Sequence, residues 1–85
     1  MYNLMSFIIR SKIRKKCLEN LKNPRTPTQL SKIIKKHRSS TSRAILELVD
    51  KNLVECLTPE ESKGRLYKIT ELGEDILKLI KDSNN

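Results

Sequence analysis

Tryptophan is absent, and the only aromatic residues are Tyr2, Phe7 and Tyr67. Single-stranded nucleic acids are held by stacking bases on aromatic faces, so this small set argues against a single-strand module. Tyr67 reads as core or interface rather than a stacking platform. One histidine, His37, excludes a multi-histidine metal site. Cys17 and Cys56 are the two cysteines. They make no disulfide framework, and their spacing matches no zinc motif. They fit reduced thiols in a cytoplasmic protein. Cys17 falls on an apolar helical stripe and reads as packing; Cys56, beside the hairpin described below, is a packed or an oxidation-sensitive thiol. With two glycines there is no phosphate-cradling glycine loop. Neither a nucleophile–base pair nor a carboxylate pair stands out. The chain therefore reads as a non-enzyme that takes no cofactor or metal. The apolar stretch MYNLMSFII is too short to span a bilayer and lacks a basic leading region and a cleavage site. It reads as the start of a helix able to pack against a second subunit.

Positive charge is abundant. Eighteen Lys and Arg residues face ten Asp and Glu in 85 residues, for a net charge of +8 and a pI near 9.8. Such a balance favours an anionic partner. The charge is concentrated. From Arg10 to Arg43 twelve basic residues oppose the single acid Glu19, a net +11; from Ala44 onward six basic residues oppose nine acids, a net −3. One part of the surface should carry the field, although lysine runs also serve simply as solvated faces. A chain this short forms one small domain, residues 1–85, and buries little surface alone, so a partner subunit would help it.

Local patterns supply the order of elements. Ile9, Ile13, Cys17, Leu18 and Leu21 recur at helical spacing within an N-terminal segment, residues 1–21, that Asn23-Pro24 terminates. A second helix begins at Pro27, with Thr26 as its N-cap, and carries Leu30, Ile33 and Ile34 on one face. A third spans about Ser40–Lys51, with Thr41, Ala44, Ile45, Leu48 and Val49 inward; Asn52 then supplies the left-handed residue that ends helices. "LVECL" and "RLYKIT" read as strands around the turn-rich "TPEESKG". Thr70 caps a last helix, residues 71–82, with Leu72, Ile76, Leu79 and Ile80 as its stripe. Gly73 in its first turn costs helix propensity and permits close packing. The fold class is α+β, mostly α: three helices, a two-stranded β-wing at residues 53–70 and a C-terminal helix, with a helix-turn-helix at 26–52.

The stretch from Thr26 to Leu77 resembles winged helix-turn-helix transcriptional regulators of the MarR/ArsR-like kind, especially small archaeal ones. "TPTQLSKIIKKHRSSTSRAILELVDKNLV" is similar to the helix-turn-helix core. "LVECLTPEESKGRLYKIT" is similar to the wing, and "TELGEDILKLI" to the closing helix. The order "ECLTPE", "KGRLY", "TELG" is the most specific part. Two departures stand out. Lys35 and Lys36 occupy the turn positions where such proteins often carry glycine and an apolar residue, and Asn52 replaces the glycine before the wing.

The resemblance implies a double-stranded DNA-binding regulator, acting as a homodimer through its N- and C-terminal helices, with the third helix in the major groove. Ser39, Ser40 and Ser42 are small enough to let the helix enter and can donate to phosphates or bases. Ser39 is equally a candidate N-cap. Arg43 is the base reader of choice, because its fork matches guanine. Lys35, Lys36, His37 and Arg38 precede the helix as phosphate contacts. Thr26 and Thr28 start a helix whose N–H groups suit a phosphate, and Lys32 faces phosphate or solvent. Lys63 and Arg65 at the wing tip would reach the minor groove or its backbone. Glu47, far along the reading helix, is an anomaly: phosphate repels a carboxylate unless it accepts from cytosine. Two other functions fit the same fold: a winged-helix protein-interaction module, and an architectural protein that coats DNA without reading it.

Overall fold

A short serine-capped helix restart shapes the N-terminal half. The structure, a computed structural model, describes residues 2–83; Met1, in the expected N-terminal helix, lies outside them. The expected single helix up to residue 21 is two helices, α1 (Tyr2–Ile9) and α2 (Lys12–Glu19). Ser11 adopts an extended conformation and its hydroxyl accepts the Arg14 N–H at 3.2 Å, capping α2. The break resets the helical phase. Ile8 is fully buried, while Ile9, expected on the stripe, is 57% exposed. Cys17, Leu18 and Leu21 are buried as the spacing predicts.

The helix-turn-helix is α3 (Pro27–Ile34) and α4 (Arg38–Asp50). Thr26 caps α3 in a reciprocal box with Gln29, at 3.1 Å and 3.0 Å, and Pro27 opens the helix. Two α3 orphan donors are thereby satisfied. Lys35 ends α3 in the left-handed conformation (φ 58°), the geometry usually given to glycine. Leu30 and Ile34 are buried, but Ile33 is largely outside. On α4 the inward face is Thr41, Ala44, Ile45 and Leu48, with Val49 half-buried. Thr41 satisfies its buried hydroxyl by donating to the His37 carbonyl at 2.9 Å. Asn52 (φ 61°) closes the helix as the sequence predicts, and the Leu53 N–H donates to the Leu48 carbonyl at 2.9 Å.

The wing is an antiparallel pair, β1 (Val54–Cys56) and β2 (Tyr67–Ile69), in the register Val54↔Ile69, Glu55↔Lys68 and Cys56↔Tyr67. A third backbone segment joins it: Arg25 and Tyr67 exchange N–H···O bonds of 3.1 and 2.9 Å, so the residues before α3 border the wing. At the loop's base the Thr58 hydroxyl accepts the Leu66 N–H at 3.0 Å. The tip turns at Gly64, whose φ is +65°.

α5 (Glu71–Ser83) is capped by Thr70, whose hydroxyl accepts the Gly73 N–H at 3.0 Å and donates to the Asn52 carbonyl at 2.7 Å. Gly73 sits where a Cβ would strike the Leu53 carbonyl and approach Ile69 Cγ1 to 2.6 Å. The missing side chain is what lets α5 lie on the β1 entrance. Gly73, Ile76 and Ile80 form the buried line of α5; Leu72 and Leu77 flank it, and Leu79 is 39% exposed rather than inside. The core sits between α2, α3 and α4, with α5 packed on α2 and buried Tyr67 and Ile69 closing it from the wing side. No described helix is long and apolar enough to cross a membrane.

Candidate nucleic-acid interface

Three chain segments converge on one depression of about 670 Å³. The start of α3 contributes Thr26 and Thr28, the start of α4 contributes Arg38 and Ser42, and the wing tip contributes Lys63 and Arg65. The six stand in three separate stretches of the sequence, and the fold brings them to one place. The capping box decides which donors of α3 remain. It engages the N–H of Thr26 and of Gln29, and Pro27 has none; the Thr28 N–H is the donor left in that turn. In the wing, Arg65 Nε donates to the Glu61 carbonyl, which bends its side chain back over the loop.

The start of α4 differs from expectation. Ser39 is not the cap, and Arg38 is not before the helix but its first residue. The N-cap is His37, whose side chain makes no capping hydrogen bond. The first N–H groups of α4 therefore face outward at the positive end of a 13-residue helix. No side-chain hydrogen bond among the described residues engages Ser39, Ser40 or Ser42. Ser39 is exposed, and Ser40 and Ser42 are half-buried. Lys35, Lys36 and His37 are all exposed and line a second, shallower hollow at the turn. The left-handed Lys35 projects this cluster beside the α4 start.

Arg43 is exposed on the outward face of α4, in line with Ser39 and Leu46. With them it lines a groove between α4 and Phe7 of α1. Glu47 closes that groove, and the structure resolves the anomaly it posed. Arg14 of α2 grips it with both prongs: Nε to Oε1 at 3.1 Å and Nη2 to Oε2 at 3.2 Å. The same guanidinium donates to the Phe7 carbonyl at 3.0 Å and lies 4.0 Å from the centre of the Phe7 ring. The hydrogen bond and charge of Arg14, with a smaller contribution from Arg43, hold the Glu47 carboxyl below its ordinary range. The carboxylate is thus neutralised by its own protein. No sequence signal announced this pair, since its members stand 33 residues apart. Gln29 did have a signal, the T-x-x-Q spacing of a capping box.

The thiols separate cleanly. Burial pushes the Cys17 thiol up to about 12, while Cys56 is partly accessible at the wing strand. Among the described residues, no group of three His, Cys, Asp or Glu side chains is arranged to hold a metal ion.

No family model matches this sequence, and no curated protein matches it. Solved structures do. A MarR family transcription regulator superposes over 98% of this chain with a TM-score of 0.77 and 25% identity. The chain has the winged-helix fold of MarR-family transcription regulators. A mutant MarR from E. coli complexed with operator DNA superposes over 92% of the chain, with a TM-score of 0.76 and 26% identity. The adhesin competence repressor from Streptococcus pyogenes superposes over 96%, with a TM-score of 0.72 and 19% identity. This chain spans 62% of the first structure, 58% of the E. coli one and 68% of the repressor. The shared winged-helix fold therefore covers nearly all of this chain.

Proposed function

We propose that this chain is a DNA-binding transcription regulator that reads double-stranded sequence with α4 in the major groove and sets its wing on the minor groove or the adjoining backbone. The observation that carries the reading is the shared depression: Thr28, Arg38, Ser42, Lys63 and Arg65 come from three segments and face one space. The E. coli MarR of the same fold is complexed with operator DNA, which supports the choice of a duplex as the polyanion. In this reading Arg43 takes guanine, while Lys35, Lys36, His37 and Arg38 take phosphates with the free N–H groups of α4. Thr26 and Thr28 hold the backbone between α4 and the wing. Neutral Ser39, Ser40 and Ser42 keep the approach narrow enough for a groove.

The chain acts as a homodimer in the cytoplasm. α1 and α5 pack on each other and leave Ile9 and Leu79 outside, an apolar surface suited to a second copy. Two-fold symmetry places two reading helices about one DNA turn apart. Sedimentation at micromolar concentration should show a dimer; a monomer alone would remove this part.

Selection from a random duplex pool at near-physiological salt tests the whole. The expected result is an enriched inverted repeat. On that duplex Arg43→Ala should cost about 1–3 kcal/mol and relax the preference at one position. Retention without enrichment would mean coating of DNA by charge, and no retention would favour a protein partner.

A further inference from the structure

Leu46 is 59% exposed on the outward face of α4. It stands on α4 three residues beyond Arg43 and seven beyond Ser39, in the same outward line. The residues around it are Ser42, Arg43, Glu47 and Asp50, and one side of its groove is the Phe7 ring. The fold gains nothing from a leucine there: the inward face of α4 is already complete with Ala44, Ile45 and Leu48. Its neighbour Glu47 is held by Arg14; the exposed carboxylate on this groove is Asp50, one turn further along α4.

Resting on the DNA-reading function above, we infer that Leu46 is a specificity-determining residue that contacts the 5-methyl group of thymine. That methyl is the one apolar group among the major-groove edges of the four bases. The rise of an α-helix puts Leu46 about 4.5 Å along the axis from Arg43. One base step is about 3.4 Å, so the thymine lies one or two steps from the guanine that Arg43 reads. A serine or lysine at position 46 would find no partner in that methyl. Leucine excludes water from it and buries its own exposed branch.

The test replaces thymine by uracil, one position at a time, in the selected duplex. This removes the methyl and leaves pairing unchanged. At one position per half-site the wild-type protein should lose about fourfold in affinity, the worth of one buried methyl. Leu46→Ala should bind the thymine duplex more weakly and lose the distinction between thymine and uracil there, while retaining its preference at the Arg43 position. Leu46→Met, still apolar, should keep a thymine preference. Circular dichroism should show unchanged folding, because the side chain is outside the core. Equal binding of thymine and uracil duplexes by wild type would overturn the role of Leu46 and leave the DNA-reading function standing. So would persistent discrimination in Leu46→Ala. Failure to bind any duplex would overturn both.

Discussion

Replacing Arg14 by glutamine should weaken DNA binding without touching the DNA-facing residues, and replacing Glu47 in addition should restore it. Arg14 is mostly covered, whereas Glu47 is 40% exposed, so much of their attraction is screened by water. A pair of this kind contributes about 0.2–1 kcal/mol, with the two-pronged geometry favouring the upper end. Arg14 also holds the Phe7 carbonyl and ring, which brings the expected loss for Arg14→Gln to about 1–2 kcal/mol. Each kcal/mol lowers Tm by about 4–8 °C in a domain of this size. The effect on DNA has another origin. A released carboxylate about 8 Å from a phosphate is repelled by about 0.5 kcal/mol in water before salt screening. Screening at physiological ionic strength reduces this roughly e-fold, and two or three phosphates together restore it to about 0.5 kcal/mol, roughly a twofold loss of affinity. Fluorescence anisotropy on one duplex, with thermal melts alongside, separates the two effects. Arg14→Gln should bind about twofold more weakly, Glu47→Gln as well as wild type or better, and the double variant close to wild type although still less stable. A double variant as weak as Arg14→Gln, or a clear loss in Glu47→Gln alone, would refute charge neutralisation. Acid provides a further check. Because the folded Glu47 titrates below its ordinary 4.5, its contribution to stability is present above that pH and is lost as pH falls through the folded value. Glu47→Gln should lack that part of the acid loss.

Lys35→Gly should stabilise the fold by about 0.5–1 kcal/mol, because glycine relieves the left-handed backbone; it should also weaken duplex binding and flatten its salt dependence by about one unit of slope. Chemical denaturation and anisotropy at several salt concentrations measure both, and an unchanged salt slope would exclude a phosphate contact. Gly73→Ala reverses the usual helix rule: alanine should favour a helix by about 1 kcal/mol, yet its Cβ meets the fixed Leu53 carbonyl, and overpacking of this kind costs about 1–3 kcal/mol or more. A higher Tm for Gly73→Ala would contradict the packing at the α5 start. Iodoacetamide at pH 8 should modify Cys56 and spare Cys17, whose thiol stays protonated in its buried site; mass spectrometry showing Cys17 modified first in the folded protein would contradict that burial.

Residues whose structural role is decided by near neighbours were legible. Thr26-Pro27 starts a helix, Thr70 caps another, and Asn52 turns left-handed between α4 and β1. The wing emerged because "VEC" and "YKI" flank a loop rich in turn residues. Gathering Thr26, Thr28, Arg38, Ser42, Lys63 and Arg65 in one depression follows from that order of elements. Interactions between distant segments were not legible. The Arg14–Glu47 clamp and the Arg25–Tyr67 bridge join segments whose approach only the tertiary fold sets. The N-terminal helix looked continuous because Arg10 and Ser11 fit a helix as readily as a break; the Ser11 cap decides it, and Ile9 consequently turns outward. Ser39 lost the capping role to His37 because α4 begins two residues closer to α3 than its hydroxyl cluster suggested. Ile33 and Leu79 show the limit of periodicity, which marks a stripe but not how far the neighbouring elements cover it.

In the proposed function, the face formed by the α3 start, the α4 start and the wing tip is the one that meets duplex DNA. Amide chemical shifts of the 15N-labelled protein, followed while the selected duplex is titrated in, test it most directly. The largest changes are expected at Thr28, Lys35–Arg43, Leu46 and Lys63–Arg65, with little change at Lys16, Glu19, Lys78 and Lys81 on the α2–α5 side. Changes centred on that α2–α5 side, with α4 and the wing unmoved, would contradict it.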